Sequence, residues 1–186
     1  DLNGLAPIAQ QLLAAYPLQG DSCLRVDQQG QTLYQQAFGS FTLQQVVPIA
    51  SATKTLSAAV LMSLVDTGHV ALDDRVGQYL PEWNVGLKAQ ITLRMCFTHT
   101  AGLPGNAPAV GDDTLTLRQA AQQLANTPLL SLPGARFDYG GVSMHVAGAV
   151  CEVATGLSWA QLFAQRLAVP LQMTATDYAA FGPTQN

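Results

Sequence analysis

Apolar residues recur with helical period along much of this chain. Residues 4–15, from Gly4-Leu5-Ala6-Pro7-Ile8 to Ala15, read as an amphipathic helix. Residues 51–67 read as a second, with Leu56, Val60 and Leu64 on one stripe and Leu61 and Val65 beside it. That stripe is expected to pack into a core, and Gly68 is placed to end the helix. A third stripe runs through Val142, Val146, Val150 and Val153 and is closed by Gly156. Three starts are marked by capping residues. Thr92 can cap a short helix to about Thr98, Thr116 with Gln119 forms a capping box ahead of Ala120–Ala125, and Ser158 with Gln161 forms another. The last helix should stop before Pro170.

Only Cys23–Val26 and Thr32–Ala37 read as strands, joined as a hairpin by Asp27-Gln28-Gln29-Gly30. The order is helix, hairpin, then helices joined by loops, without a repeat. Two strands are not an independent sheet, so further strands are expected to come from outside this sequence.

Composition narrows the function. The chain has 186 residues, 48% hydrophobic and 11% charged, which is globular. The net charge is −4, and its eight lysines and arginines are scattered. No basic cluster is present to neutralise phosphates, so nucleic acid is not an expected partner. The longest apolar stretch, around Leu56–Val65, is broken by Ser57 and Ser63 and is too short to span a bilayer. Cys23, Cys96 and Cys151 are widely spaced and do not form a zinc pattern. Cys96 and Cys151 are expected to be buried thiols, or a bridge if the chain is exported. There is no His-Glu-x-x-His, phosphate loop or glycine-rich dinucleotide turn, so no cofactor or metal is expected. The chain begins at Asp1 rather than Met, which would fit an exported precursor with its signal removed, periplasmic or secreted, or an engineered start.

The strongest chemical signal is Ser51-Ala52-Thr53-Lys54 at the head of the second helix. A three-residue spacing puts both side chains on one face, about a turn apart. A serine hydroxyl needs a neighbouring base to take its proton. Lys54 can serve if neutral, which the helix N-terminus and apolar neighbours both favour. With eight serines and two lysines, chance gives about 0.1 such pairs. Two other patterns are weaker. Gly20-Asp21-Ser22-Cys23 with Asp66 and His69 imitates a Gly-Asp-Ser-Leu lipase, but Ser22 does not follow a buried strand. Asp66-Thr67-Gly68 imitates an aspartic protease but has no second copy to form a carboxylate dyad.

The surroundings of Ser51 carry a resemblance. Pro48 to Lys54, Leu64 to Gly68, Leu72 to Val76 and Tyr79-Leu80-Pro81 resemble a continuous stretch of the serine β-lactamase-related family. Ile91 to Arg94 and Thr98 to Pro104 resemble its "LLTHTSGLP" segment. Pro133-Gly134 with Phe137-Asp138-Tyr139 resembles "PG..F.YSN", and Pro170 to Met173 with Thr176 resembles "PLGM..T". The likeness covers roughly residues 20–180, in order. It implies a mixed α/β fold: an antiparallel sheet flanked by helices, plus a mostly helical domain. On that pattern residues 1–50 begin the α/β domain, 51–172 hold the nucleophile helix and helical domain, and 173–186 begin the return. The family includes class C β-lactamases, D-alanyl-D-alanine carboxypeptidases and related esterases. The resemblance implies Ser51 as acylated nucleophile, Lys54 as its partner and Tyr139 as proton shuttle. His99, in the loop segment, is expected to be structural. His69 and His145 read as surface and helix residues.

Two departures shape the expected function. The family reads Tyr-x-Asn, but here the run is Tyr139-Gly140-Gly141. Gly141 cannot supply the amide that relatives use to hold a substrate carbonyl and the lysine. An ester substrate is therefore expected first, with a D-alanyl peptide or β-lactam second. Nor does any Lys-Thr-Gly or His-x-Gly follow Tyr178, so the other half of the oxyanion hole is expected on a second polypeptide. Phe181 to Asn186 reads as a surface loop where a longer chain could be nicked. The rival of another class is a non-catalytic binding or scaffold relative with the same fold.

Overall fold

The computed structural model describes residues 2–16 and 21–178; the loop expected at 181–186 lies outside them. The chain divides into two compact units between Val47 and Pro48.

The first unit holds helix α1 (Leu5–Ala15) and strands β1 (Ser22–Gln28) and β2 (Gln31–Phe38). The strands pair antiparallel from Ser22 opposite Phe38 to Gln28 opposite Gln31. The two-residue turn Gln29-Gly30 places both residues at positive φ, 49° and 78°. That twist is the one a tight hairpin needs, and glycine supplies half of it without strain. Phe38 is buried, at the end of β2. Cys23 is exposed and donates to the Thr42 carbonyl, 3.1 Å away.

The second unit is helical around one core. Its helices are α2 (Thr53–Asp66), α3 (Leu93–Phe97), α4 (Leu117–Leu124), α5 (Val142–Thr155) and α6 (Trp159–Phe163). Val60 and Leu64 of α2 are fully buried, with Leu56 partly buried against the same core. Val142, Val146 and Val150 of α5 are likewise buried, but Val153, in the last turn of the helix, is exposed. The three caps form as the sequence indicates. Thr92 accepts from the Met95 N–H, and Thr116 and Ser158 each complete a capping box with the glutamine three residues on. Gly156 ends α5 at φ 72°, and Gly68 follows α2 at the same angle. Beyond α6 the chain passes through one wide π turn, Ala164–Ala168, before Pro170.

Two polar side chains inside this core pair with backbone. The Trp83 indole N–H donates to the Ala121 carbonyl at 3.1 Å, and the buried Ser143 hydroxyl donates to the Cys96 carbonyl at 3.0 Å. Cys96 and Cys151 are both buried free thiols, and burial pushes each pKa up to about 12. Leu117 packs so closely on α5 that a Cβ at Gly148 would stand 2.8 Å from its Cδ2. Two turns of the chain also bond side by side: Val76 N–H to Ile91 carbonyl at 2.9 Å and Leu93 N–H to Asp74 carbonyl at 3.1 Å. Arg94 closes that crossing with a bidentate pair on Asp73, which is exposed and contributes little.

His145 stands on α5 with its Nδ1 3.1 Å from the Gly141 carbonyl. Burial pushes its pKa below the ordinary value, and the charge at Lys54 adds to that. A histidine depressed in the folded state binds protons more readily when unfolded. Its contribution is therefore complete above the unfolded pKa, about 6.5, and is lost as pH falls below that value through the lower folded one. Thermal unfolding followed between pH 8 and pH 5 should show stability falling in the lower half of that range, and His145→Gln should flatten the fall. Trp83→Phe should cost about 2 kcal/mol, from lost volume and the lost indole hydrogen bond to the Ala121 carbonyl, read by denaturant unfolding.

Candidate active site

Ser51 does not lie within α2 itself. It sits in a single 3₁₀ turn, Ala50–Ala52, that leads into the helix. In a 3₁₀ turn residues three apart stand nearly over one another. The Lys54 Nζ lies 3.0 Å from the Ser51 Oγ, within hydrogen-bond reach. Ser51 is exposed and Lys54 half-buried. Immediately before the serine, Ala50 holds a left-handed φ of 43°, a strained setting for a residue with a Cβ. The Thr53 hydroxyl donates back to the Ala50 carbonyl and fixes the entry to the helix. Further along α2, the buried Ser57 hydroxyl lies 2.7 Å from the Tyr178 hydroxyl and donates to the Thr53 carbonyl at 3.1 Å. Tyr178 is held in turn against Trp159 and Phe163, ring centroids 5.9 Å and 5.0 Å away.

Tyr139 reaches the same place from far along the chain. The Lys54 Nζ stands 4.8 Å from the centre of its ring. Hydrogen bonding with Ser51 first, and with Lys54 second, holds the Tyr139 phenol below its ordinary pKa. Ser51 and Tyr139, 88 positions apart in the sequence, thus share one hydrogen-bonded cluster with Lys54.

The loop that carries Tyr139 is laced to residues 99–105 through backbone. Asp138 N–H donates to the His99 carbonyl at 2.8 Å, Gly134 to Thr100 at 2.7 Å, Leu130 to Gly102 at 2.8 Å and Gly141 to Gly105 at 2.7 Å. His99 lies in the left-handed region at φ 57° and is buried. Its ring packs against Tyr139 at 4.7 Å and edge-on against Phe137 at 5.7 Å. Burial, and then the Lys54 charge, lowers the His99 pKa, so the ring is favoured neutral. Its Nδ1 is buried without a hydrogen-bond partner. The histidine is thus a packing wall behind the tyrosine, as its place in the loop indicated. His69 is exposed, with Nδ1 2.9 Å from the Thr67 hydroxyl. Ser22 opens β1 in the first unit, whereas Asp66 and His69 belong to the second.

Gly141 precedes α5 as its N-cap. A Cβ built there would stand 2.8 Å from the Val110 Cγ1, closer than real side chains approach. The position where relatives carry an amide is therefore filled by an aliphatic group from elsewhere in the chain. Neither Val110 nor the 99–105 contacts stood out in the sequence. The double glycine at 140–141 was the available signal, read for the side chain it lacks rather than for what presses on it. Among the described residues no cluster of three metal-ligating side chains occurs.

Comparison with known proteins agrees with this geometry at the level of family. A model of the family described as Beta-lactamase matches residues 6–185. The D-alanyl-D-alanine-carboxypeptidase/endopeptidase AmpH of Escherichia coli K12 is 30% identical over 147 residues, covering 73% of this chain and 37% of its own length. Esterase EstB of Burkholderia gladioli is 30% identical over 184 residues, 85% of this chain and 47% of its own. A crystal structure of a Bacteroides dorei protein assigned as a β-lactamase superposes with a TM-score of 0.86 at 31% identity, covering 100% of this chain and 57% of that one. The chain thus spans less than half the length of those two curated relatives. A short antiparallel sheet, a helical unit built on the α2 core and these matches agree: the chain belongs to the Beta-lactamase family of hydrolases.

Proposed function

We propose that this chain supplies the acyl-transfer centre of a serine hydrolase acting first on carboxylic esters. The observation that carries the reading is the 3.0 Å approach of Lys54 Nζ to Ser51 Oγ, with the Tyr139 phenol lowered by the same two groups. The Ser51 hydroxyl proton passes to the Lys54–Tyr139 pair as Oγ bonds to the acyl carbon. The tetrahedral intermediate collapses when the alcohol leaves, and that alcohol takes the proton back from Tyr139. Water then attacks the acyl-serine, giving its proton to the same pair, and the carboxylic acid departs with Ser51 restored. The Ser51 backbone N–H is one donor to the oxyanion. A second donor comes, in this proposal, from strands outside the given sequence that also complete the sheet.

The lean toward esters rests on Val110. An aliphatic group where relatives place an amide offers no partner to the N–H or C=O of a peptide or β-lactam side chain, and a buried polar group left unpaired is costly. An ester with a short acyl chain makes no such demand.

Incubation of the full-length protein with a fluorophosphonate and intact-mass analysis tests the roles. Ser51→Ala should abolish the adduct, Lys54→Ala should slow its formation by about a thousandfold or more, and Tyr139→Phe should remain folded with most turnover gone. Undiminished labelling of Ser51→Ala would move the nucleophile elsewhere, and no labelling of the wild type would favour a non-catalytic relative. Specificity is read separately: kcat/KM for p-nitrophenyl butyrate should exceed that for a chromogenic cephalosporin, and the reverse order would sink the ester assignment.

A further inference from the structure

The two glycines at 105 and 140 meet backbone to backbone beside Tyr139. A Cβ at Gly140 would fall well inside contact distance of the Gly105 carbonyl oxygen, Cα and carbonyl carbon at once. From the other side, a Cβ at Gly105 would stand 2.5 Å from the Tyr139 carbonyl oxygen. Neither obstacle is the free end of a side chain that could swing away. Both glycines have negative φ, so the residue type is set here by space and not by backbone angle. The crossing is sealed by the 2.7 Å bond from Gly141 N–H to Gly105 carbonyl, one residue further on. On the other flank, Asp138 N–H is bonded to the His99 carbonyl and the His99 ring lies on Tyr139. Tyr139 is therefore pinned between two backbone bonds, though its own side chain is half exposed and contributes little packing of its own.

We propose that Gly105 and Gly140 are positioning residues for Tyr139, their side-chain-free crossing setting where the phenol stands against Ser51 and Lys54. The proposal rests on the acyl-transfer reading for its consequence in rate. It also gives the Tyr139-Gly140-Gly141 run a cause. The family segment has a serine at position 140, which this crossing has no room for. The double glycine is then a closer-packed way of holding the tyrosine, and not the remnant of a site falling out of use.

Gly140→Ala in the full-length protein must push the two strands of the crossing apart and carry Tyr139 with them. Phosphonylation of Ser51 by a fluorophosphonate, in which fluoride leaves phosphorus, should slow by about 10- to 100-fold, the usual consequence of misplacing a proton-transfer group by an ångström. The phenol gives a second readout that needs no turnover. Ultraviolet titration of wild type minus Tyr139→Phe should place Tyr139 below an ordinary tyrosine, and Gly140→Ala should return it toward about 10. In a Tyr139→Phe background Gly140→Ala should slow phosphonylation no further, because the two changes act through one group. Gly77→Ala is the control for a merely structural effect. Its Cβ would stand 2.9 Å from the Asn84 Cα, outside the segments that carry Tyr139, so it should lower stability while leaving the phenol titration as in wild type.

Wild-type phosphonylation and titration in Gly140→Ala would overturn the proposal. An equal slowing in the presence and absence of the Tyr139 hydroxyl would do the same. If Gly140→Ala does not fold, Gly105→Ala repeats both measurements from the opposite side, and failure of both to fold assigns the crossing to stability alone. A wild type that is never phosphonylated at Ser51 sinks the hydrolase reading, while the titration still decides the positioning.

Discussion

The organising constraint of the second unit is the lacing of residues 99–105 to residues 130–141. Four backbone hydrogen bonds join the two segments, and four of the eight residues they link are glycines; at Gly102 and Gly105 the backbone of the facing segment leaves no room for a Cβ. Backbone contact of this kind has few degrees of freedom. A side chain can change rotamer to relieve a misfit, but a carbonyl facing a Cα cannot. Everything that the tyrosine contributes to the serine depends on that rigidity, because the two residues belong to elements with no hydrogen-bonded register of their own.

The helix bearing the serine is fixed by a different means. Its buried stripe of Val60, Leu61 and Leu64 anchors it in the core, while its first turn is held by hydroxyls: Thr53 to Ala50, Ser57 to Thr53, and Tyr178 to Ser57. The strained Ala50 precedes Ser51 directly. Strain at such a point persists only when the surrounding structure over-determines it, and here packing below and hydroxyl bonds above do so. The pair of Ser51 and Lys54 is thus held by local chain geometry, and Tyr139 is brought to it by tertiary structure.

That difference explains what the sequence made legible. The Thr92, Thr116 and Ser158 caps were readable because each is a contract between residues three apart. So was Gln29-Gly30, where turn chemistry dictates residue type. The Ser51–Lys54 pair was readable for the same reason. The short 3₁₀ segments at 76–78, 81–83, 86–90 and 108–110 were not, being too brief to show any period. Val153 continues the stripe of α5 yet is exposed: it lies in the last turn of the helix, and spacing alone does not say how far along a face the core extends. Val110 and Gly105 were invisible because their meaning lies in residues more than thirty positions away. Tyr139 was found only through a resemblance, as no local pattern marks it.

Val110 also constrains the paths along which such a sequence can vary. With its Cγ1 standing where a side chain at position 141 would begin, an asparagine cannot be regained there in one step. Position 110 would first have to shrink, opening an apolar void beside the N-terminus of α5. The intermediate would be less stable than either endpoint, and the order of events would matter. Positions 110 and 141 are thus bound to each other as alternatives, and a lineage that holds one arrangement is separated from the other by a valley and not a slope.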